Sequence, residues 1–118
     1  MIIADLARIS GRTYPARRRT QNLVGGVSPV QARNFAMGMV TLEPNGGQVP
    51  WHNQEQEEIY FIAEGEGEMC LGEERSSLSA GQAVYIPPGV FHLFRFADDR
   101  SSPRIGLRRN QSGQAYLL

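Results

Sequence analysis

Two stretches decide the fold: Gly46–Gly65, GGQVPWHNQEQEEIYFIAEG, and Gly81–His92, GQAVYIPPGVFH. Each is punctuated by turn-forming Gly or Pro, and each holds one of the chain's two histidines, His52 and His92. The first stretch adds Gln54 and Glu58. Imidazole and carboxylate together suit Fe, Mn, Ni, Co or Zn, so these side chains point to a site for one divalent metal ion. Side chains alternate faces along a strand, and His52, Gln54 and Glu58 are all even-numbered. A strand through Pro50–Gln54, a turn near Gln56 and a strand from Glu57 bring the three to one barrel mouth. His92, beyond Pro87-Pro88-Gly89, is expected to close the site from across the barrel. The same parity turns Tyr60, Ile62, Val90 and Phe94 inward as an apolar pocket, and Glu55 and Glu57 outward.

The wider chain agrees with a small β-protein. Its 118 residues suit one domain spanning 1–118. Within it, 1–33 reads as an N-terminal arm and strands, and the two site-bearing regions fall at 46–65 and 81–96. Asn34–Leu42, Glu57–Glu64, the GEMCL run to Gly72, Gln82–Ile86, Val90–Phe96 and Arg104–Arg109 read as strands. Pro44-Asn45-Gly46-Gly47, Gly65-Glu66-Gly67, Gly72-Glu73-Glu74, Pro87-Pro88-Gly89 and the polar loop Ala97–Pro103 separate them. Short strands at this spacing form a sandwich or barrel. Only the start, around Ile3–Arg8, has the character of a short helix. Trp51 has the opposite parity to His52, so packing is its expected role.

Composition narrows the partners. Twelve basic and twelve acidic residues cancel, and every basic residue is arginine. Residues 34 to 74 carry glutamates and no arginine, whereas the flanking segments are arginine-rich. Most of these charges read as solvated strand faces. Arg17–Arg18–Arg19 is too short a run to indicate nucleic-acid binding, and no DNA-binding motif accompanies it. No apolar run reaches about eighteen residues, so no membrane span is expected. MIIADLARIS lacks a basic-then-apolar secretion pattern. Cys70 is the only cysteine, which excludes an internal disulfide. Both features fit a cytoplasmic location. Cys70 itself reads as an inert strand residue.

The two quoted stretches closely resemble the signature motifs of the cupin superfamily. The first motif, G(X)5HXH(X)3,4E(X)6G, is met by Gly46, His52, Glu58 and Gly65, with Gln54 in place of the second histidine. The second, G(X)5PXG(X)2H(X)3N, is met by Gly81, Pro87, Gly89 and His92, with Phe96 in place of the asparagine. The resemblance implies an all-β fold, a cupin-like double-stranded β-helix or jelly-roll barrel of the small single-domain type. It also implies one divalent metal held by His52, Gln54, Glu58 and His92, a small-molecule substrate or ligand, and a homodimer. The basic N-terminal arm, Arg17–Arg19 followed by TQNLV as a strand, suits covering a partner's sheet edge. For Gln54 three roles are open: ligation through its amide oxygen, a hydrogen bond to a metal-bound water, or an orientation away from the metal.

Small cupins include dioxygenases, isomerases, epimerases, lyases and simple binding domains, so the fold alone does not choose the reaction. Without Gln54, two histidines and one carboxylate resemble the facial triad of non-haem Fe(II) oxygenases. A metal-dependent oxygenase on a small oxygenated substrate is therefore the favoured expectation. Glu58 would then be catalytic, tuning the metal's charge or serving as base. A Lewis-acid isomerase, epimerase or lyase and a non-catalytic small-molecule binding module are the alternatives.

Overall fold

A computed structural model describes residues 1–43, 46–96, 104–108 and 115–117. Its strands are β1 (Arg12–Tyr14), β2 (Arg18–Val24), β3 (Ala36–Leu42), β4 (Gln48–His52), β5 (Glu58–Glu64), β6 (Glu66–Leu71), β7 (Glu74–Ser79), β8 (Ala83–Ile86), β9 (His92–Phe96), β10 (Arg104–Arg108) and β11 (Ala115–Leu117). A single 3₁₀ turn, Leu6–Arg8, is the one helical element among the described residues; Asp5 caps it by accepting from the Ala7 N–H. The expected Pro44-Asn45 half of one turn, the loop Ala97–Pro103 and the end of the strand at Arg109 lie outside the described residues.

The strands form two sheets. One runs β1-β2-β3-β11-β10-β5-β8 and the other β4-β9-β6-β7. Their facing surfaces share one apolar core. The larger sheet contributes Val40, Leu42, Tyr60, Ile62 and Ile86, and the smaller Val49, Met69, Leu78 and Phe94. The period of two is plain: along β5 the buried residues are Glu58, Tyr60 and Ile62, with the intervening positions half-buried. This is the jelly-roll barrel implied by the resemblance. Burial of such side chains stabilises by roughly 1.5–3 kcal/mol each, upper figures given a compact unfolded state.

Glycines act differently at two neighbouring positions. Gly65 has a φ of 76° and turns the chain from β5 in one sheet to β6 in the other. Gly67, which opens the expected GEMCL strand, belongs to β6. It lies inside β6, opposite Phe96. Here a methyl group would stand 2.2 Å from the Phe94 ring and 2.6 Å from the Arg95 carbonyl. The glycine therefore makes room for the buried Phe94.

Three strands were missed by sequence reading: β1, β7 and β11. β7 shows why, because only Leu78 of its six residues is buried, leaving no apolar alternation to read. The Arg17–Arg19 arm also differs from expectation. Arg18 and Arg19 belong to β2, paired between β1 and β3, and Arg19 donates to the carbonyls of Ser10 and Ile9. The arm is thus engaged within its own chain. Trp51 is half exposed rather than packed, because it occupies the outer face of β4. Across β6 and β9, Glu68 and Arg95 stand directly opposite and form a partly exposed ion pair, of a type contributing about 0.2–1 kcal/mol.

Gly67→Ala is expected to displace Phe94 and to destabilise the fold by about 1–3 kcal/mol. A lowered urea midpoint at unchanged slope would show it; an unaltered midpoint would mean that the core absorbs the methyl group.

Candidate metal centre

The site forms where β4 meets β9. Pairing runs Gln48 with Arg95 and Val49 with Phe94, then shifts by one residue so that His52 stands opposite His92. The shift falls at Pro50, which has no N–H to give to the ladder. Such a bulge re-aims side chains. Val49 faces the core before it, Pro50 and Trp51 are exposed, and His52 turns inward after it. His92 is therefore the immediate strand neighbour of His52 in the same sheet, correcting the expectation that it lies across the barrel. Glu58 is the residue that comes from the facing sheet. It begins β5, with Tyr60 and Ile62 beneath it on the same buried face.

Two hydrogen bonds to Gly89 hold the mouth in register. Gly89 N–H donates to the Gln54 carbonyl at 2.6 Å, and the Asn53 side-chain amide donates to the Gly89 carbonyl at 3.2 Å. Gly89 has a φ of 78°, a left-handed conformation that glycine takes without strain. The Pro87-Pro88-Gly89 corner is thereby fastened to the segment following His52.

The histidine tautomers follow from their carbonyl partners. His52 Nδ1 lies 2.7 Å from the Pro50 carbonyl, and His92 Nδ1 lies 3.0 Å from the Val90 carbonyl. A carbonyl only accepts, so each Nδ1 carries a proton, and in the neutral ring Nε2 presents a lone pair. Burial is the main influence lowering the His52 pKa, aided by the neighbouring His92 and Arg18. The Pro50 carbonyl and Glu58 act in the opposite direction. The neutral ring is the ligand form.

His92 and Glu58 are almost fully buried, and His92 Nε2 lies 2.9 Å from Glu58 Oε2. With its proton on Nδ1, Nε2 has none to give, and Glu58 Oε2 has no hydrogen-bond partner among the described residues. A buried carboxylate facing an imidazole nitrogen needs a proton between them, carried by the ring or by the carboxyl, or else a metal ion. The His52 ring, 4.2 Å from His92 between centroids, favours the metal, since a second lone pair converges there. Ligand atoms of His52, Glu58 and His92 all lie within 4.8 Å of one another. The donor set fits a divalent ion.

Gln54 is half-buried and lines the same cavity as His52, Glu58 and Tyr60. Of the residues expected to shape an apolar pocket, only Tyr60 is among those lining this cavity; Ile62 and Phe94 pack in the core and Val90 is half-buried. Tyr60 contributes more than expected, because its hydroxyl lies 3.2 Å from His92 Nε2. Glu55 is exposed as expected, and Glu57 accepts from the Tyr85 hydroxyl at 2.9 Å. Cys70 is buried on β6, with its thiol near Glu68. The cavity has a volume of ≈ 1090 Å³ and extends from the candidate ligands along β2 and β3 to the segment Arg8–Arg12.

The fold and this site define a metal-competent barrel of the jelly-roll class. The chain belongs to the cupin family: the Cupin domain model matches residues 38–102. An uncharacterized protein of Streptomyces coelicolor is 31% identical over 67 residues, covering 55% of this chain and 61% of that relative. The chain thus matches less than two thirds of that relative's length. Among solved structures, the polyketide cyclase RemF from Streptomyces resistomycificus superposes with a TM-score of 0.78 at 20% identity, covering 94% of this chain and 80% of that one. The DMSP lyase DddQ from Ruegeria pomeroyi superposes with a TM-score of 0.72 at 25% identity, covering 93% and 55%.

Elemental analysis of the purified protein is expected to give about one divalent ion per chain, lost in His92→Ala. Saturating metal, at about a hundredfold excess over Kd, should stabilise the fold by about 2.7 kcal/mol. Full loading in a His52→Ala/His92→Ala double variant would disprove the site. For Gln54, substitution by histidine should tighten Ni and Zn binding, and substitution by alanine should weaken binding less than His52→Ala does. Equal affinities for all three residues at position 54 would show that its side chain is not a ligand.

Proposed function

We propose that the protein is a metal-dependent enzyme acting on a small oxygenated molecule held in the barrel cavity. The observation that carries this reading is the convergence of two imidazoles and the Glu58 carboxylate, whose Oε2 lacks a hydrogen-bond partner among the described residues, beside a cavity large enough for a small molecule. His52, Glu58 and His92 are the proposed ligands, with Gln54 beside them. A bound divalent ion would supply Lewis-acid or redox chemistry to a chelating substrate. Glu58, fixed by burial, sets the local charge, and His92 is oriented by its bond to the Val90 carbonyl.

Two reactions fit this site. The two-histidine, one-carboxylate set favours an oxygenase on an enediol, diketone or catechol-like substrate. The Tyr60 hydroxyl beside His92 favours lyase or isomerase chemistry, since a buried hydroxyl at the cavity wall can hold or deliver a proton. The 25% identity to a DMSP lyase supports this second reading. A cytoplasmic homodimer without nucleic-acid or membrane partners completes the proposal. Light scattering showing a monomer at micromolar concentration would remove the dimer.

Turnover under strict anaerobiosis decides between the reactions. The oxygenase reading expects oxygen consumption by the Fe(II) form and no product without oxygen. Undiminished product from Mn(II), Ni(II) or Zn(II) forms without oxygen would eliminate it in favour of the Lewis-acid reaction. In either case Glu58→Gln should lower turnover more than metal loading. Binding of ligands without turnover in any metal form would leave a non-catalytic module.

A further inference from the structure

The cavity wall formed by β2 carries a feature that the candidate metal ligands leave unused. Alternate residues of β2, namely Arg18, Thr20 and Asn22, line the same space as His52, Gln54 and Glu58. Arg18 Nε is buried and has no hydrogen-bond partner among the described residues. A buried donor of this kind is costly unless an acceptor meets it. The guanidinium is also held in place: its Cζ lies 4.4 Å from the centre of the Tyr14 ring, and Arg12 lies 4.9 Å from the same ring. Tyr14 lines the cavity with them.

Charge points the same way. Three arginines, Arg8, Arg12 and Arg18, line the cavity, whereas Glu58 is its only described acidic wall residue. Arg8 is exposed and lies 3.7 Å from Asp5, so it is already engaged. Glu58 is drawn into the candidate ligand set. Arg18, stacked on Tyr14, is a partly desolvated cation whose Nε lacks a partner among the described residues.

We infer that Arg18 is an anion-binding residue of the substrate pocket, and that the substrate is a carboxylic acid bound by the metal at one end and by the Arg18 guanidinium at the other. The inference rests on the metal-dependent reading of this cavity. A guanidinium edge matches the two oxygens of a carboxylate.

The test uses metal-loaded protein and three flexible probes: glutaric monohydroxamate, its methyl ester and the phosphonate of equal length. Their hydroxamate chelates the metal, and only the far end differs. Calorimetric titration is expected to show the acid binding at least about tenfold more tightly than the ester, with the preference falling to about twofold in Arg18→Gln. If Arg18→Gln does not fold, Arg18→Lys keeps the charge but loses the Nε donor, and its preference should fall at least about threefold. Equal binding of acid and ester by the wild type, or an undiminished preference in the variant, would overturn the inference. Tighter binding of the phosphonate would overturn the carboxylate class. Failure of the metal reading is separately visible, as hydroxamate affinities that do not change when metal is stripped. In that event an Arg18-dependent preference of metal-free protein for glutarate over dimethyl glutarate would still uphold the anion subsite, and its absence would overturn it.

Discussion

The contact between His92 Nε2 and Glu58 Oε2, 2.9 Å apart in the barrel interior, is the constraint on which the rest depends. It joins the two sheets, since His92 begins β9 and Glu58 begins β5. The pair needs a proton or a metal ion between them, because an unpaired buried carboxylate costs several kcal/mol. The fold accepts that cost at its mouth while the same strands continue into an apolar floor. On β5 the sequence runs from Glu58 through Tyr60 to Ile62, and on β9 from His92 to Phe94, all buried. Polar function and apolar stability are thus stacked along the same two strands.

Rigidity comes from the backbone around the ligands. The bulge at Pro50 turns His52 inward, and the carbonyls of Pro50 and Val90 fix which nitrogen of each ring is free. Gly89 ties its corner to Gln54. These bonds fix the direction of each imidazole lone pair in advance, which lowers the entropic cost of closing a site around an ion. The β2 wall of the cavity is organised differently. There the Arg18 guanidinium is positioned by stacking against Tyr14, so one cavity presents both the candidate metal ligands and a cation.

The sequence alone determined the two-motif framework, the family, the all-β architecture and the strands bearing His52, Glu58 and His92, because alternation of period two and Gly/Pro punctuation are local properties of the chain. It also placed Glu58, Tyr60 and Ile62 on one face. Tertiary structure decided what depends on pairing. Only the register of β4 with β9 shows that His52 and His92 are strand neighbours with Glu58 opposite, since a one-residue shift at a bulge leaves no mark that parity can read. β7 was invisible because it is polar and nearly all exposed. The parity of Arg18, Thr20 and Asn22 was available in the chain, but not which face of β2 met the cavity. That choice was made by the packing of β2 against β3 and of the N-terminal segment over both, contacts between residues far apart in sequence.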